Sequence, residues 1–133
     1  MAYFEHGADV GVIGRGASVE AAFADAAHAM FALATDPRAV AARERLEIEF
    51  EEDDLELALV RWLNLLLAAA SERGLAFHSF SLERAGPRWL GEAWGEPWHE
   101  GLERGTEVKG ATLTMLSVKP AGGLWEARCV VDV

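Results

Sequence analysis

Hydrophobic residues recur at helical spacing in the first part of the chain. Residues 19–34 repeat apolar side chains every three or four positions, which predicts an amphipathic α-helix. Ser18 is the expected N-cap, and Asp36-Pro37 is expected to end this helix. Residues 3–15 alternate as an extended segment, with Asp9 in a glycine-flanked turn. The chain is therefore predicted to begin with extended structure that leads into one helix.

A second helix is predicted from Asp53-Asp54 to residue 73. Glu56 follows Asp53 by three residues, which is the spacing of a capping box, and Gly74 is expected to end the helix in the left-handed conformation. The helix has a wide apolar face, formed by Leu55, Ala58, Leu59, Trp62, Leu63, Leu66 and Ala69. Two polar residues interrupt the apolar sequence and are predicted to be exposed, Arg61 and Asn64. Such a helix lies in the core or is covered by a partner.

Strand-like alternation is clearest over residues 45–51, where Leu46, Ile48 and Phe50 alternate with Glu47, Glu49 and Glu51. One face of this strand is predicted to be packed and the other solvated, so we interpret the three glutamates as a solvated face and not as a metal site. Further strands are predicted over residues 75–84, 89–94, 106–118 and 124–133. In the last of them, Cys129 is expected to point inward and Glu126 outward. The pattern predicts one α+β domain over residues 1–133, a two-layer domain with a mixed, mostly antiparallel β-sheet packed on two α-helices.

The segment of residues 94–112 is the expected location of function. Gly95-Glu96-Pro97 is predicted to be irregular, because glycine and proline interrupt helices and strands. A charged, glycine-rich loop follows and leads into a predicted strand that starts at Thr106 and carries Lys109 between apolar neighbours. Loops of this kind on a rigid scaffold are common sites of function.

Composition narrows the class of protein. The formal net charge is −10, with 22 acidic and 12 basic residues, so strong direct binding to nucleic acid is not expected. An acidic surface is better suited to a cation or to a basic protein partner. The single cysteine, the lack of an apolar leader and the lack of a long uninterrupted apolar segment predict a cytoplasmic protein without a membrane span.

Asp132 is an unusual residue, because it follows a run of apolar positions next to Val133. Its carboxylate beside another acidic group would be repelled unless a cation lay between them. Two interpretations of Asp132 remain open: it is a solvated residue at a strand end, or it is part of an oxygen-ligand site for calcium or magnesium. A metal-dependent hydrolase that uses Asp9 and Asp132 is the weakest interpretation, because no base or nucleophile is evident nearby.

Several short motifs occur together in one order along the chain. They are His6-Gly7-Ala8-Asp9-Val10-Gly11, Trp62-Leu63-Asn64, Gly95-Glu96-Pro97, Gly105-Thr106-Glu107-Val108-Lys109 and Val131-Asp132-Val133. In this combination the whole chain resembles the archease family. The resemblance implies an accessory activator, not an enzyme, so no catalytic residue is assigned. Archeases promote the metal- and GTP-dependent guanylylation of RtcB-type RNA-splicing ligases, and thereby multiple turnover in tRNA splicing and RNA repair.

The resemblance also implies roles for individual residues. Asp9 and Asp132 match the family's metal-binding acids, with Val133 as a further oxygen donor for a divalent cation, calcium first and magnesium or manganese as alternatives. Lys109 and Glu107 match the strand motif and are expected to contact the ligase or orient the metal. Leu102 stands where the family commonly has a histidine, so His99 nearby is given no role. The alternative is a stand-alone metal-binding or chaperone-like module that uses residues 55–70 as its client surface.

Overall fold

The computed structural model describes residues 1–133, which form two α-helices and eight β-strands. The helices are α1 (Val19–Ala32) and α2 (Leu55–Arg73). The strands are β1 (Ala2–His6), β2 (Asp9–Gly16), β3 (Glu44–Glu51), β4 (Leu75–Ala85), β5 (Arg88–Pro97), β6 (Gly110–Ala111), β7 (Ser117–Ala121) and β8 (Leu124–Asp132). This architecture confirms the predicted α+β class.

The strands divide between two sheets in which every strand pair is antiparallel. One sheet has the order β1-β2-β8-β6, and β7 also pairs with β8; the other has the order β3-β5-β4. Helix α1 contacts β2 and β8 of the first sheet and β4 of the second, while α2 contacts β3, β4, β6 and β7. The helices therefore join the two sheets through one core. No helix is long and apolar enough to cross a membrane.

The N-caps are set by single side chains. The Ser18 hydroxyl accepts a hydrogen bond from the Ala21 amide at 3.0 Å, as predicted. The cap of α2 is Asp54, whose carboxylate accepts from the Leu57 amide at 3.0 Å, so the predicted capping box of Asp53 and Glu56 is wrong. The pair is one residue out of register: with Asp54 as the N-cap, the residue three positions later is Leu57 and not Glu56.

The two helix ends also differ in how well the sequence predicts them. Gly74 has a φ of 64° and ends α2 as expected. Helix α1 ends at Ala32, before the predicted stop at Asp36-Pro37. The Leu33 and Ala34 carbonyls accept hydrogen bonds, each of 2.7 Å, from the backbone amides of residues 106 and 105. A loop that is distant in sequence therefore satisfies the carbonyls that follow the helix.

Two predicted boundaries in the second half are wrong. Strand β5 continues through Gly95 and Glu96 to Pro97, where irregular structure was expected. Gly95 lies against the Ala76 carbonyl, where a Cβ atom would clash, and Pro97 occupies the final strand position. The predicted strand over residues 106–118 is mostly loop, interrupted only by β6 and by the start of β7. Met115 lies in this loop with a φ of 54°, which is incompatible with a continuous strand.

The glutamates of β3 and β8 have different environments. Glu47, Glu49 and Glu51 are exposed as predicted, and Glu47 and Glu49 form ion pairs with Arg45 and Arg88. Glu126 was expected on a solvated face but is buried. The Arg15 guanidinium on the neighbouring strand lies 3.3 Å from its carboxylate. This ion pair satisfies a charge that alternation alone assigned to solvent.

An acidic sheet end as the candidate functional site

The end of β8 brings together residues from both termini of the chain. Strand β8 lies between β2 and β6, and its pairing with β2 ends at Val10 and Val131, so Asp9 and Asp132 each lie one residue beyond the last paired residues. The Val133 amide donates a hydrogen bond of 3.4 Å to a carboxylate oxygen of Asp9. Asp9, Asp132 and Val133, which are remote in sequence, therefore share one site at the sheet end.

Lys109 reaches the same end through its backbone. Its amide donates a 2.7 Å hydrogen bond to the Asp132 carbonyl, and the next residue, Gly110, pairs with Asp132. Glu107 is exposed two residues earlier and lines a cleft beside the C-terminal ends of α1 and α2. The fold therefore brings Asp9, Asp132, Val133 and Lys109 together, while Glu107 flanks this group.

The donors at the sheet end fit a hard cation. Two aspartate carboxylates and the main-chain oxygens of Val133 are the ligand type that calcium and magnesium prefer. No cluster of three or more histidine, cysteine, aspartate or glutamate side chains is close enough to hold a metal. A cation at this end would accordingly keep water molecules or take further ligands from a partner.

Asn64 holds the strand that supports this end. Its side-chain oxygen accepts a 2.8 Å hydrogen bond from the Ala111 amide, and its side-chain nitrogen donates a 3.2 Å bond to the Ala111 carbonyl. Asn64 is exposed as predicted, but its amide fixes α2 to β6. It is the only asparagine of the chain and interrupts an apolar helix, which is the one sequence signal for this contact.

Replacing Asn64 by alanine is expected to loosen β6. Loss of the two hydrogen bonds to Ala111 should lower the free energy of unfolding by about 1–2 kcal/mol. Amide hydrogen exchange at Lys109 and Ala111 should become faster than elsewhere in the sheet. Glu72→Ala, at an exposed position of the same helix, is the control. Unchanged exchange at these two amides in Asn64→Ala would contradict the assigned role.

Glu96, near the C-terminal end of β5, connects the loop that contains Ala41 with the loop that contains His99. Its buried carboxylate accepts a 2.7 Å hydrogen bond from the Ala41 amide and lies 3.3 Å from the His99 ring. The Ala41 amide, and then His99, hold the pKa of Glu96 below its ordinary value. His99, which had no role in the sequence analysis, therefore contacts Glu96. Leu102 is buried with Val40, so the residue at the family's histidine position packs in a small apolar cluster.

The lowered pKa of Glu96 predicts a pH dependence of stability. A carboxylate with a lower pKa in the folded state stabilises the protein above the unfolded value of about 4.5, and this contribution is lost as the pH falls through the folded value. Glu96→Gln should therefore have a lower Tm than the parent at neutral pH. Its Tm should also fall less than that of the parent when the pH is lowered. Thermal unfolding from neutral pH to about pH 3 measures this. Glu51→Gln is the exposed control, and parallel pH curves for Glu96→Gln and the parent protein would refute the assignment.

Cys129 is not part of a reactive site. Its side chain is fully buried, and burial raises the pKa of the thiol to about 11. The thiol therefore stays protonated at neutral pH, as expected for an inward-facing cysteine.

The geometry defines an α+β protein with two antiparallel sheets and an acidic site where both termini meet at one sheet end. The model of the archease protein family (MTH1598/TM1083) matches residues 1–133. The chain belongs to the archease family.

Relatives and solved structures agree with this assignment. The protein archease of Sulfolobus acidocaldarius is 36% identical, covering 98% of this chain and 96% of the relative. The protein archease of Methanothermobacter thermautotrophicus is 33% identical, with the same coverage of 98% and 96%.

Two solved structures have the same fold. The solution structure of Methanobacterium thermoautotrophicum protein 1598 has a TM-score of 0.82 and 32% identity, covering 98% of this chain and 96% of that one. The crystal structure of "an archease, possible chaperone" from Thermotoga maritima has a TM-score of 0.69 and 20% identity, covering 98% and 94%. At that identity the second similarity establishes the fold alone.

Proposed function

We propose that this protein is an accessory activator of an RtcB-type RNA ligase, which acts in the cytoplasm in tRNA splicing and RNA repair. In this role it promotes the metal- and GTP-dependent guanylylation of the ligase and allows multiple turnover. The main support is the meeting of Asp9, Asp132, Val133 and Lys109 at one sheet end in a member of the archease family. The net charge of −10 is also suited to a basic, nucleotide-binding surface on a partner.

The proposed cation ligands are the Asp9 and Asp132 carboxylates and a main-chain oxygen of Val133. A bound divalent cation would supply the positive charge that offsets repulsion between the two carboxylates. Calcium fits best, because it accepts many oxygen ligands in flexible geometry, whereas magnesium requires near-ideal octahedral geometry; manganese is a further alternative. The role of this chain is to hold oxygen ligands in place at a surface that a partner can reach.

Lys109 and Glu107 are the proposed contacts to the ligase. Both side chains are exposed, and the Lys109 amide is fixed to the Asp132 carbonyl. A cationic side chain held beside an acidic site is suited to pair with phosphate or with an acidic group of the partner–nucleotide complex. Asn64 acts indirectly, because it holds the strand that follows Lys109.

The chaperone-like alternative has less support in the structure. It requires an apolar client surface on the second helix, but Trp62 and Leu66 of α2 are both fully buried. Leu57 and Leu65 on the same helix are partly exposed, at 43% and 37%, and do not make a broad apolar face. The predicted client surface is therefore used to form the core of this protein.

The test is RNA ligation by the cognate RtcB-type ligase under single- and multiple-turnover conditions, with and without this protein. Multiple turnover only in its presence, together with faster ligase guanylylation, is the expected result. If neither guanylylation nor turnover changes, the activator proposal is wrong and a stand-alone metal-binding module is the remaining interpretation.

A further inference from the structure

A cleft lies beside the C-terminal ends of α1 and α2. Its volume is about 400 Å³, and it is closed on one side by residues 104–108. We call it the helix-end cleft; Phe31, Leu67, Leu75 and Phe77 give it an apolar interior. Small-molecule sites are typically apolar clefts of about 300–1,000 Å³ with a few placed polar groups. In size and lining the helix-end cleft belongs to this class.

Arg104 provides a cation at the cleft. Its guanidinium lies 4.1 Å from the centre of the Trp98 ring, and both residues line the cleft. None of the ion pairs of the protein involves Arg104. A guanidinium stacked on an aromatic ring keeps its edge donors available for a carboxylate or sulfonate. Glu107, the one acidic residue of the lining, disfavours a second negative charge on the ligand.

We propose that the helix-end cleft binds a small amphiphilic monoanion. The apolar body of the ligand packs against the apolar lining of the cleft, and its carboxylate or sulfonate pairs with Arg104. This ligand site does not use Asp9 or Asp132, but it includes Glu107, which is also a proposed contact to the ligase. A ligand of this class accounts for the unpaired guanidinium and the apolar volume together.

The probes are anilinonaphthalene sulfonate, an apolar monoanion, and phenyl naphthylamine, its neutral counterpart. The folded protein should bind the sulfonate with one-to-one stoichiometry by fluorescence titration, and more tightly than the neutral probe. Arg104→Met should weaken the sulfonate about tenfold and leave the affinity for the neutral probe nearly unchanged. Equal affinities for the two probes in the parent protein would overturn the anionic specificity.

A cavity-filling pair tests the location of binding. Ala70→Leu adds volume inside the cleft and should weaken binding of the sulfonate at least about tenfold. Ala68→Leu makes the same change at an exposed position of the same helix and should bind like the parent. Circular dichroism confirms that both variants are folded. Absence of binding, or equal binding by these two variants, would overturn the site.

Discussion

Asp132→Asn is expected to lower cation affinity by at least about 100-fold and to abolish multiple turnover by the cognate ligase. Loss of groups that merely orient metal ligands costs about 10–100-fold in affinity, and a direct carboxylate ligand should cost more. Asparagine retains one oxygen ligand but removes the charge that pairs with the cation. Its effect on the fold should be small, because Asp132 is exposed and the Lys109 amide bonds its carbonyl, which the substitution leaves in place.

Two measurements separate cation binding from ligase activation. Calorimetric titration with calcium, magnesium and manganese gives the affinities, and RNA ligation under multiple-turnover conditions gives the activity. Asp53→Asn is the matched control, because it makes the same change at an exposed acid away from the sheet end. Parent-like turnover with Asp132→Asn would remove Asp132 from the mechanism. Parent-like calcium affinity with lost turnover would instead assign it to contact with the ligase.

Trp62→Ala is expected to destabilise the fold by about 3–5 kcal/mol, a large part of the stability of a domain of this size. The indole of Trp62 is fully buried, and its N–H donates a 3.1 Å hydrogen bond to the Phe23 carbonyl of α1. The ring also lies against Gly91, where an added Cβ atom would clash with it. Truncation leaves a cavity between α1, α2 and β5 and removes the hydrogen bond from the indole to the Phe23 carbonyl.

Urea unfolding followed by circular dichroism measures this change. Leu57→Ala on the same helix, at a side chain that is 43% exposed, should cost only about 0.5 kcal/mol. A cost below about 1 kcal/mol for Trp62→Ala would mean that the indole is not a main element of the core.

The predictions that held depend on neighbours in sequence. Ser18 caps α1 and Gly74 ends α2. The alternation of β3 also separates its packed and exposed faces correctly. Each of these features is set by contacts within about four residues, so local patterns contain the necessary information.

The predictions that failed concern groups whose partners are distant in sequence. Helix α1 ends early because the amides of residues 105 and 106 bond its terminal carbonyls. Strand β5 continues through Gly95 because the glycine lies against the Ala76 carbonyl of β4. Glu126 is buried because Arg15 lies on the neighbouring strand. Neither helical nor strand periodicity contains information about these partners.

The candidate site shows the same division. Asp132 stood out in the sequence as an acid after apolar residues, and family resemblance indicated Asp9 and Lys109. The sequence by itself determined the helices, the α+β class, the acidic charge and the motifs of the archease family. Only the tertiary structure decided that the Asp9 carboxylate bonds the Val133 amide at the end of β8 and that Asn64 holds the strand after Lys109. Strand order and register set these contacts, and both depend on how the helices and sheets share one core.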